Sequence, residues 1–488
     1  MASSSTSAAP ARAARIPQSL VRLAAPAAVA VAVAAVLHFV FSPWYLNYDA
    51  RYALLWAGDL WHGDRPDYGT PFTPTPHPLQ TAVGFVVHPF GASDQLLTWI
   101  VLLSFGALGW LVYRLGAELF SPWAGLVAAI AVLTRPALER DALLAYQDIP
   151  FAALIVGGVL MEARRPRRGV PVLVVLAIAG LLRPEAWFLS GLYFLYMWPA
   201  VSNRTRVLFA ALVASAPLIW MLSDLLIAHD ALHSLHGTAA LADEQDRRRH
   251  IHQVPYWTLQ YLGFTLREPL LIGVPIGLVF AWLYRRRAGT LPVVVALAMT
   301  VVFAIGPLFG LPLIGRYLRT PAILMALFYG LAVCGWMLLP EGRARRGWLV
   351  AGMVALAASV VFGPRQFNML EGLHNRIERD GRLYADLRDV GTAPPVRETF
   401  EACGTLSVAD HRPMPYLRYW LDGKPGSVQT IEKGASPLGP ILVEPRAVPH
   451  VKRFYRENFP RVTLPRGYSK LYTNDSWSVY YRRGSCPS

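Results

Sequence analysis

The sequence predicts an α-helical polytopic membrane protein with about eleven transmembrane helices, followed by a small C-terminal extracytoplasmic α/β domain. Three observations lead to this fold class. First, 54% of the 488 residues are hydrophobic and only 16% are charged, whereas soluble proteins carry about 25% charged residues. Second, apolar runs recur through the first 363 residues. Third, residues 364–488 contain charged stretches and turn signals but no run long enough to cross a bilayer.

The membrane part, residues 23–363, contains eleven apolar runs. They lie at 23–41, 95–113, 121–133, 142–161, 170–182, 185–199, 207–227, 269–284, 291–310, 321–339 and 347–363. A straight span needs about 20 apolar residues, so three of these runs are short and indicate tilted helices or helices with polar ends. Residues 1–22 are rich in alanine and serine, which predicts a disordered cytoplasmic tail. The first run is interpreted as a span, and a cleaved signal peptide is the alternative.

Basic residues predict which side of the membrane each loop occupies. With the N-terminus inside, the short arginine clusters fall in cytoplasmic connections, as the positive-inside rule expects. The segments on the outer side are then 47–78, 134–148, 183–185, 228–268, 311–320 and the C-terminal domain 364–488. The exception is the run Arg247–Arg249, in a long outer loop where the rule weakens. The formal charge of +15 is therefore attributed to membrane topology, and no nucleic-acid partner is predicted.

The cysteines agree with an extracytoplasmic C-terminal domain. Cys403 and Cys486 both lie in this polar part, and outside the cytoplasm they are expected to form a disulfide. The alternative is two free thiols that never meet. Cys334 lies in an apolar run and is interpreted as an inert core residue.

The polar outer segments contain the candidate chemical groups. Asp49 follows the first span directly, and we interpret it as a catalytic base, because burial and nearby cations can tune the pKa of such a carboxylate. Asp148 stands at the start of a later span and is a candidate second acid. The structural alternative is the same for both residues, namely that each simply caps the helix that follows it.

Four basic residues are candidate ligands for a phosphate on a lipid. Arg51, Arg183 and Arg316 lie in outer segments, where guanidinium groups can bind phosphate through paired hydrogen bonds. Arg51 is also a candidate partner of Asp49. The alternative for the arginines is that they extend from helix ends towards water. His77 is a further candidate phosphate ligand, with a structural role as its alternative.

The sequence predicts no metal ligands and no cofactor. His229, His233 and His236 have the spacing of one helix face, which is compatible with zinc, but no cysteine or glutamate signature accompanies them. A helix lying on the membrane surface is the preferred interpretation of this loop. The chain lacks the glycine-rich phosphate-binding motifs and the GxSxG motif, so ATP hydrolysis, nicotinamide chemistry and serine hydrolysis are disfavoured.

The arrangement resembles the GT-C class of polytopic glycosyltransferases, which use polyprenyl-phosphate sugars. The residues that match are Asn47-Tyr48-Asp49 in a large first outer loop, Gln147-Asp148 at the end of the second, and Arg183-Pro184-Glu185 in a tight outer turn. A C-terminal extracytoplasmic domain also occurs in this class. Asp49 is followed by Ala50, so the tandem Asp-Glu often seen in the mannosyltransferase branch is absent.

The resemblance implies an integral-membrane enzyme, and the composition, rich in alanine and arginine, predicts a bacterial plasma membrane. Its donor would be a polyprenyl-phosphate hexose or pentose, and its acceptor an extracytoplasmic glycan, lipid or protein. By position, Asp49 becomes the base and Asp148 the second acid, while Arg51, Arg183 and Arg316 become candidates for the lipid phosphate. Direct attack would invert the anomeric centre. Two other functions stay open, namely a flippase or transporter for a lipid-linked sugar and a non-catalytic subunit of glycan assembly.

Overall fold

The computed structural model describes residues 18–42, 44–91 and 93–486. Most of the expected cytoplasmic tail therefore lies outside the described residues. The described chain is mainly helical, with one small sheet near its C-terminus. The helices up to residue 361 are α1 Gln18–Val40, α2 Tyr48–His62, α3 Pro78–Val87, α4 Ser93–Leu119, α5 Pro122–Leu133, α6 Pro136–Leu143, α7 Asp148–Arg164, α8 Val170–Gly180, α9 Glu185–Met197, α10 Asn203–Ala228, α11 His233–Glu244, α12 Val254–Tyr284, α13 Arg286–Ile305, α14 Arg319–Cys334 and α15 Arg343–Val361.

The chain is a multi-pass membrane protein, but the count of eleven spans is not confirmed. Each apolar run of the sequence coincides with a helix. Among the described residues, however, only six helices are long and apolar enough to cross a membrane by themselves. Helices α6 and α7, bent by 115° relative to each other, would make a seventh span together. The shorter apolar helices, α1, α5 and α8 among them, leave the number of crossings open.

Helix α14 lies at the centre of the bundle, with every residue but one buried. It packs closely against α12, where a Cβ atom on Gly277 would lie 1.7 Å from the carbonyl oxygen of Phe328. Only glycine permits this approach of the two backbones. Helices α10, α13 and α15, by contrast, expose large apolar side chains such as Leu226, Leu297 and Val360. Such surfaces suit contact with lipid.

The C-terminal part is a mixed α/β unit with its own apolar core. Helices α16 Gly363–Thr392, α17 Pro394–Cys403, α18 Met414–Trp420 and α19 Pro449–Tyr455 surround strands β1 Leu406–Val408, β2 Val428–Thr430, β3 Ile441–Pro445, β4 Tyr468–Thr473 and β5 Trp477–Arg482. The strand order is β2-β1-β3-β5-β4. Strands β1, β2 and β3 run parallel, and β5 is antiparallel to β3 and β4. Cys403 and Cys486 are joined as a disulfide in this unit, with Cα atoms 4.8 Å apart.

Buried polar contacts fasten the C-terminal unit to the first outer segment. The guanidinium of Arg418 on α18 binds Asp59 of α2 and lies 2.9 Å from a carboxylate oxygen of Asp67. The Tyr416 hydroxyl donates a 2.7 Å hydrogen bond to the carbonyl of Leu46. Arg418 and Tyr416 of the C-terminal unit, Asp59 of the first outer segment and the adjacent Leu46 are buried, and satisfied polar contacts between buried groups hold the two parts in a defined arrangement.

Candidate active site

One cavity of about 1380 Å³ lies between the helical bundle and the C-terminal unit. Each segment that the arginine pattern assigns to the outer side contributes to its lining, as do the ends of α9, α10 and α13. The arginine clusters assigned to the cytoplasmic side contribute nothing to it. Loops that are far apart in sequence therefore meet around one chamber on one side of the bundle.

Asp49 lines this cavity from the first turn of α2. It does not cap the helix, because the N-cap is Asn47, whose side-chain oxygen accepts a 3.0 Å hydrogen bond from the backbone N–H of Ala50. The capping alternative is therefore wrong for Asp49. Its side chain is 22% exposed, so a ligand in the cavity can reach it, and the N-terminus of α2 favours its negative charge.

Arg316 joins the two candidate acids. Its Nη1 atom lies 3.0 Å from Asp49 Oδ2 and 3.6 Å from Asp148 Oδ2. The guanidinium also lies over the ring of Tyr146, with its central carbon 4.5 Å from the ring centroid. The residue is located just before α14, whose buried position in the bundle fixes where the arginine stands. Asp49 and Asp148 thus meet through one shared cation.

Asp148 is held between two cations, and its side chain is only 2% exposed. The Arg183 guanidinium forms an ion pair with it and also donates a 2.7 Å hydrogen bond to Glu185 Oε1. Burial disfavours the charge of Arg183, but the two carboxylates outweigh it and raise the pKa of that guanidinium. The N-cap of α7 is Gln147, without a side-chain capping bond. Asp148 therefore acts as an ion-pair partner rather than as a cap.

Arg51 does not belong to this site. Its guanidinium pairs with Asp94, with an Nη1–Oδ1 distance of 2.7 Å, and lies 4.4 Å from the centroid of the Tyr419 ring. It is buried and does not line the cavity. The expectation that Arg51 partners Asp49 or binds phosphate is corrected, because helix periodicity points two residues so close in sequence in different directions.

His77 lines the cavity, but it is not a cation there. Burial, followed by the positive charge of Arg183, lowers its pKa to about 3. Its ring lies against Trp220, with centroids 5.5 Å apart. As a neutral imidazole it can offer a phosphate a hydrogen bond but not a charge, so its contribution to anion binding is smaller than that of an arginine.

The lowered pKa of His77 predicts a specific pH dependence of stability. A histidine whose folded pKa lies below its usual value of 6.5 contributes stability that is complete above pH 6.5 and is lost as the pH falls towards 3. Relative to His77→Gln, the wild type should lose about 1.4 kcal/mol for each pH unit within this window. Thermal unfolding in detergent at pH 7.5, 6 and 5 measures this, with exposed His62→Gln as control. Parallel curves for wild type and His77→Gln would contradict it.

Three residues beside the charged network also line the cavity and were not identified from the sequence as members of the site. Tyr146 and Tyr317 place their rings against Arg316 and Arg183. The third is Arg247, whose side chain makes no ion pair within the described part of the chain. Burial lowers the pKa of Arg247, while Asp49 acts in the opposite direction. Its only signal in the sequence is that Arg247–Arg249 departs from the topology rule.

A second polar group lines the cavity at the C-terminal unit. Single ligand atoms of Asp410, His411 and Glu432 lie within 4.8 Å of one another, the only such set among the residues described. These groups already satisfy each other, because His411 Nδ1 lies 2.6 Å from Glu432 Oε2 and Arg412 pairs with Asp410. We therefore assign them no metal.

The loop histidines considered for zinc do not converge. His233 contacts the backbone carbonyl of Tyr68 through Nε2 at 3.2 Å, while His236 pairs with Asp230. His229 ends α10 instead of sharing a helix with the other two. Helix α11 nevertheless contributes Thr238 and Leu241 to the cavity lining, so the loop closes one side of the chamber.

The shape of the whole chain has known counterparts among solved structures. It resembles ArnT from Cupriavidus metallidurans, solved bound to undecaprenyl phosphate, with a TM-score of 0.57 over 96% of this chain and 99% of that one, at 14% sequence identity. The chain has the GT-C fold. No family model matches the sequence, and no curated protein matches it. The likeness in fold is thus accompanied by low sequence identity.

More distant likenesses involve two structures of the Archaeoglobus fulgidus oligosaccharyltransferase. The complex with zinc and sulfate gives a TM-score of 0.48 at 15% identity, covering 83% of this chain and 62% of that one. The AglB complex with an inhibitory peptide and a dolichol-phosphate gives 0.47 at 12% identity, covering 83% and 65%. At such scores the likeness carries no further conclusion about this chain.

Proposed function

We propose that this protein is a glycosyltransferase that moves a hexose or pentose from a polyprenyl-phosphate donor to an extracytoplasmic glycan, lipid or protein. The observation that carries this proposal is the cavity in which Asp49, Arg316, Asp148 and Arg183 form one charged network. The enzyme would lie in a bacterial plasma membrane, with its N-terminus in the cytoplasm and the cavity and C-terminal unit outside.

An apolar wall of the cavity suits the prenyl chain of such a donor. Phe188, Met221, Ile305 and Phe309 line the cavity and are exposed. They stand at the ends of helices that also expose apolar side chains towards the lipid. ArnT, which has a similar fold, was solved with undecaprenyl phosphate bound, and this supports a lipid phosphate as the carrier of the sugar.

The charges suit displacement of a phosphate from the anomeric carbon. An acceptor hydroxyl forms the new bond to that carbon, and its proton passes to Asp49. The bond from carbon to phosphate oxygen breaks, and its electron pair stays on the departing lipid phosphate. Phosphate is a good leaving group, so one base and cations that stabilise the growing negative charge are sufficient. Attack from the opposite face inverts the anomeric centre.

The two acids have different roles in this proposal. We assign Asp49 as the base, because it is partly exposed in the cavity and, among the described residues, has one cation at ion-pair distance, Arg316. Asp148 is buried between Arg183 and Arg316, so we assign it the role of positioning these guanidinium groups. The Arg183 side chain is only 6% exposed, whereas that of Arg316 is 22% exposed. Arg247 lines the cavity without an ion pair among the described residues, so we assign Arg316 and Arg247 as the phosphate ligands.

Arg247→Gln should weaken use of the donor. The guanidinium of Arg247 has no ion-pair partner in the described structure. It can therefore bind the phosphate and stabilise the additional negative charge that the phosphate gains as it leaves the sugar. Loss of one charged hydrogen bond predicts a drop of about tenfold or more in kcat/KM for the donor. Arg248→Gln is the matched control. Arg248 follows Arg247 directly, but its guanidinium lies over the ring of Trp257 and it does not line the cavity. Equal kinetics for the two variants would remove Arg247 from the proposal.

Disruption of the gene tests the function as a whole. Membranes of the disrupted strain should accumulate one polyprenyl-phosphate sugar, and one envelope glycan, lipid or protein should lack that sugar. Purified protein in vesicles should restore the missing bond from the accumulated lipid. Movement of the labelled lipid across the vesicle membrane without a new glycosidic bond would favour the flippase and contradict the enzyme.

A further inference from the structure

The cavity wall contributed mainly by the C-terminal unit is strongly cationic, in contrast to the apolar wall beside the membrane helices. We call this part of the cavity the arginine arm. It is lined by Arg140, Arg376, Arg379, Arg412, Arg453 and Arg456. Five of these arginines belong to the C-terminal unit, and Arg140 belongs to α6. None of the six was identified as a site residue from the sequence.

Half of the arginine arm is not neutralised by carboxylates. Arg140 lies 3.2 Å from Asp141, Arg379 lies 2.8 Å from Asp380, and Arg412 lies 3.4 Å from Asp410. The other three members have no carboxylate within ion-pair distance among the residues described; they are Arg376, Arg453 and Arg456. The arm therefore presents an excess of positive charge to whatever enters the cavity.

Arg376 lies close enough to other arginines of the arm for their positive charges to act on it. The pKa of Arg376 is lowered by burial and then by the positive charges of Arg140 and Arg456. Arg376 and Arg379 also share one face of α16, since they are three residues apart on a helix. Like charges brought together in this way are unfavourable until an anion lies between them. Guanidinium groups suit phosphate and carboxylate, which they bind through paired hydrogen bonds.

The arginine arm adjoins the proposed reaction centre. The ring of Tyr146 lies between the two regions, with its centroid 5.4 Å from the central carbon of Arg140 and 4.5 Å from that of Arg316. Arg316 is in turn 3.0 Å from Asp49. A molecule whose anion is bound in the arm can therefore reach the base. The apolar wall, by contrast, approaches the same centre from the lipid side.

We propose that the arginine arm binds an anionic group, phosphate or carboxylate, on the acceptor, and thereby selects an anionic glycan or glycolipid. This inference rests on the proposed glycosyl transfer and names its acceptor class. The anion itself does not react. It places a neighbouring hydroxyl beside Asp49, where that hydroxyl loses its proton as described above.

The experiment uses the full-length protein in nanodiscs. Envelope extracts from the disrupted strain are separated on an anion-exchange column into anionic and neutral fractions, and each fraction is offered with a labelled polyprenyl-phosphate sugar. The double variant Arg376→Gln/Arg453→Gln removes two charges that have no ion-pair partner among the described residues, so no buried carboxylate loses its partner. Arg382→Gln is the control, because Arg382 is exposed on the same helix and pairs only with Glu378.

We expect label in the anionic fraction and an acceptor KM raised about tenfold or more in the double variant. The donor KM should stay within about twofold of wild type, and Arg382→Gln should leave both KM values unchanged. Label in the neutral fraction, or an unchanged acceptor KM, would overturn the inference while leaving glycosyl transfer intact. If no fraction accepts label, the proposed function fails. The arm is then tested by binding alone: without donor, the anionic fraction should bind the wild type more tightly than the double variant, and equal binding would overturn the inference.

Membrane lipid is the other source of an anionic group. The kinetics are therefore repeated in nanodiscs of phosphatidylcholine alone and of phosphatidylcholine with phosphatidylglycerol. An acceptor anion in the arm predicts the same tenfold effect in both. An effect that appears only with phosphatidylglycerol would assign the arm to a lipid headgroup and overturn the inference.

Discussion

Asp49→Asn is expected to abolish most of the transfer activity. A positioned general base contributes about 100- to 10,000-fold to the rate, and asparagine retains the shape of aspartate without its basicity. The loss should therefore appear in kcat, while the KM for the donor changes little. The protein should still fold, because Asp49 is partly exposed and Arg316 keeps its second neighbour, Asp148.

Asp64→Asn is the control for this variant. Asp64 is an exposed aspartate of the same outer segment and does not line the cavity. Steady-state kinetics with a polyprenyl-phosphate sugar at matched protein levels separates the two variants. Asp49→Asn with more than a tenth of the wild-type kcat would remove Asp49 from the role of base.

Arg418→Gln is expected to cause the largest loss of stability. The guanidinium of Arg418 is buried and pairs with both Asp59 and Asp67. Removing one partner from a buried ion pair typically costs about 3–5 kcal/mol, because the other charge stays buried and unpaired. The free energy of unfolding should fall by this amount at pH 7.5. The loop after residue 420 should also become more sensitive to protease.

The destabilisation should be smaller at acid pH. Burial raises the pKa of Asp59 to about 6, although Arg418 acts against the shift, and without this cation the carboxyl takes up a proton more readily. The folded variant therefore binds protons that the unfolded chain does not bind, so its stability rises as the pH falls towards 5. Arg388→Gln, at an exposed position of α16, is the control. Unfolding midpoints of Arg418→Gln that match those of wild type would refute the role of this contact.

The membrane character of the chain could be predicted from the sequence, whereas the number of spans could not. Apolar runs mark helices because every backbone polar group in lipid must be satisfied within the segment. A run such as 170–182 is too short to show whether its helix crosses alone. The bend between α6 and α7 is equally invisible, because Leu144–Gln147 reads as part of an apolar stretch.

Residues of the candidate site could be predicted where a single charged or polar residue stands out in an outer segment beside an apolar run. Asp49, Asp148, Arg183, Arg316 and His77 all line the cavity or contact a residue that does. The prediction that Arg51 belongs to the site is wrong. Its ion-pair partner, Asp94, lies forty-three residues away, and no local sequence pattern indicates this pair. The arginine arm could not be predicted either, since it is assembled from α6, α16, the segment before α18 and the end of α19, which only the fold brings together.

The anomeric configuration of the product tests the central claim most directly. If Asp49 is the base, the acceptor hydroxyl attacks the donor directly in a single displacement. The anomeric carbon of the transferred sugar then has the opposite configuration to the one that it had on the lipid phosphate. Nuclear magnetic resonance of the first product formed by the purified enzyme measures this configuration. An inverted anomeric centre is the result that we predict, and a retained one would contradict Asp49 as the base of a one-step transfer.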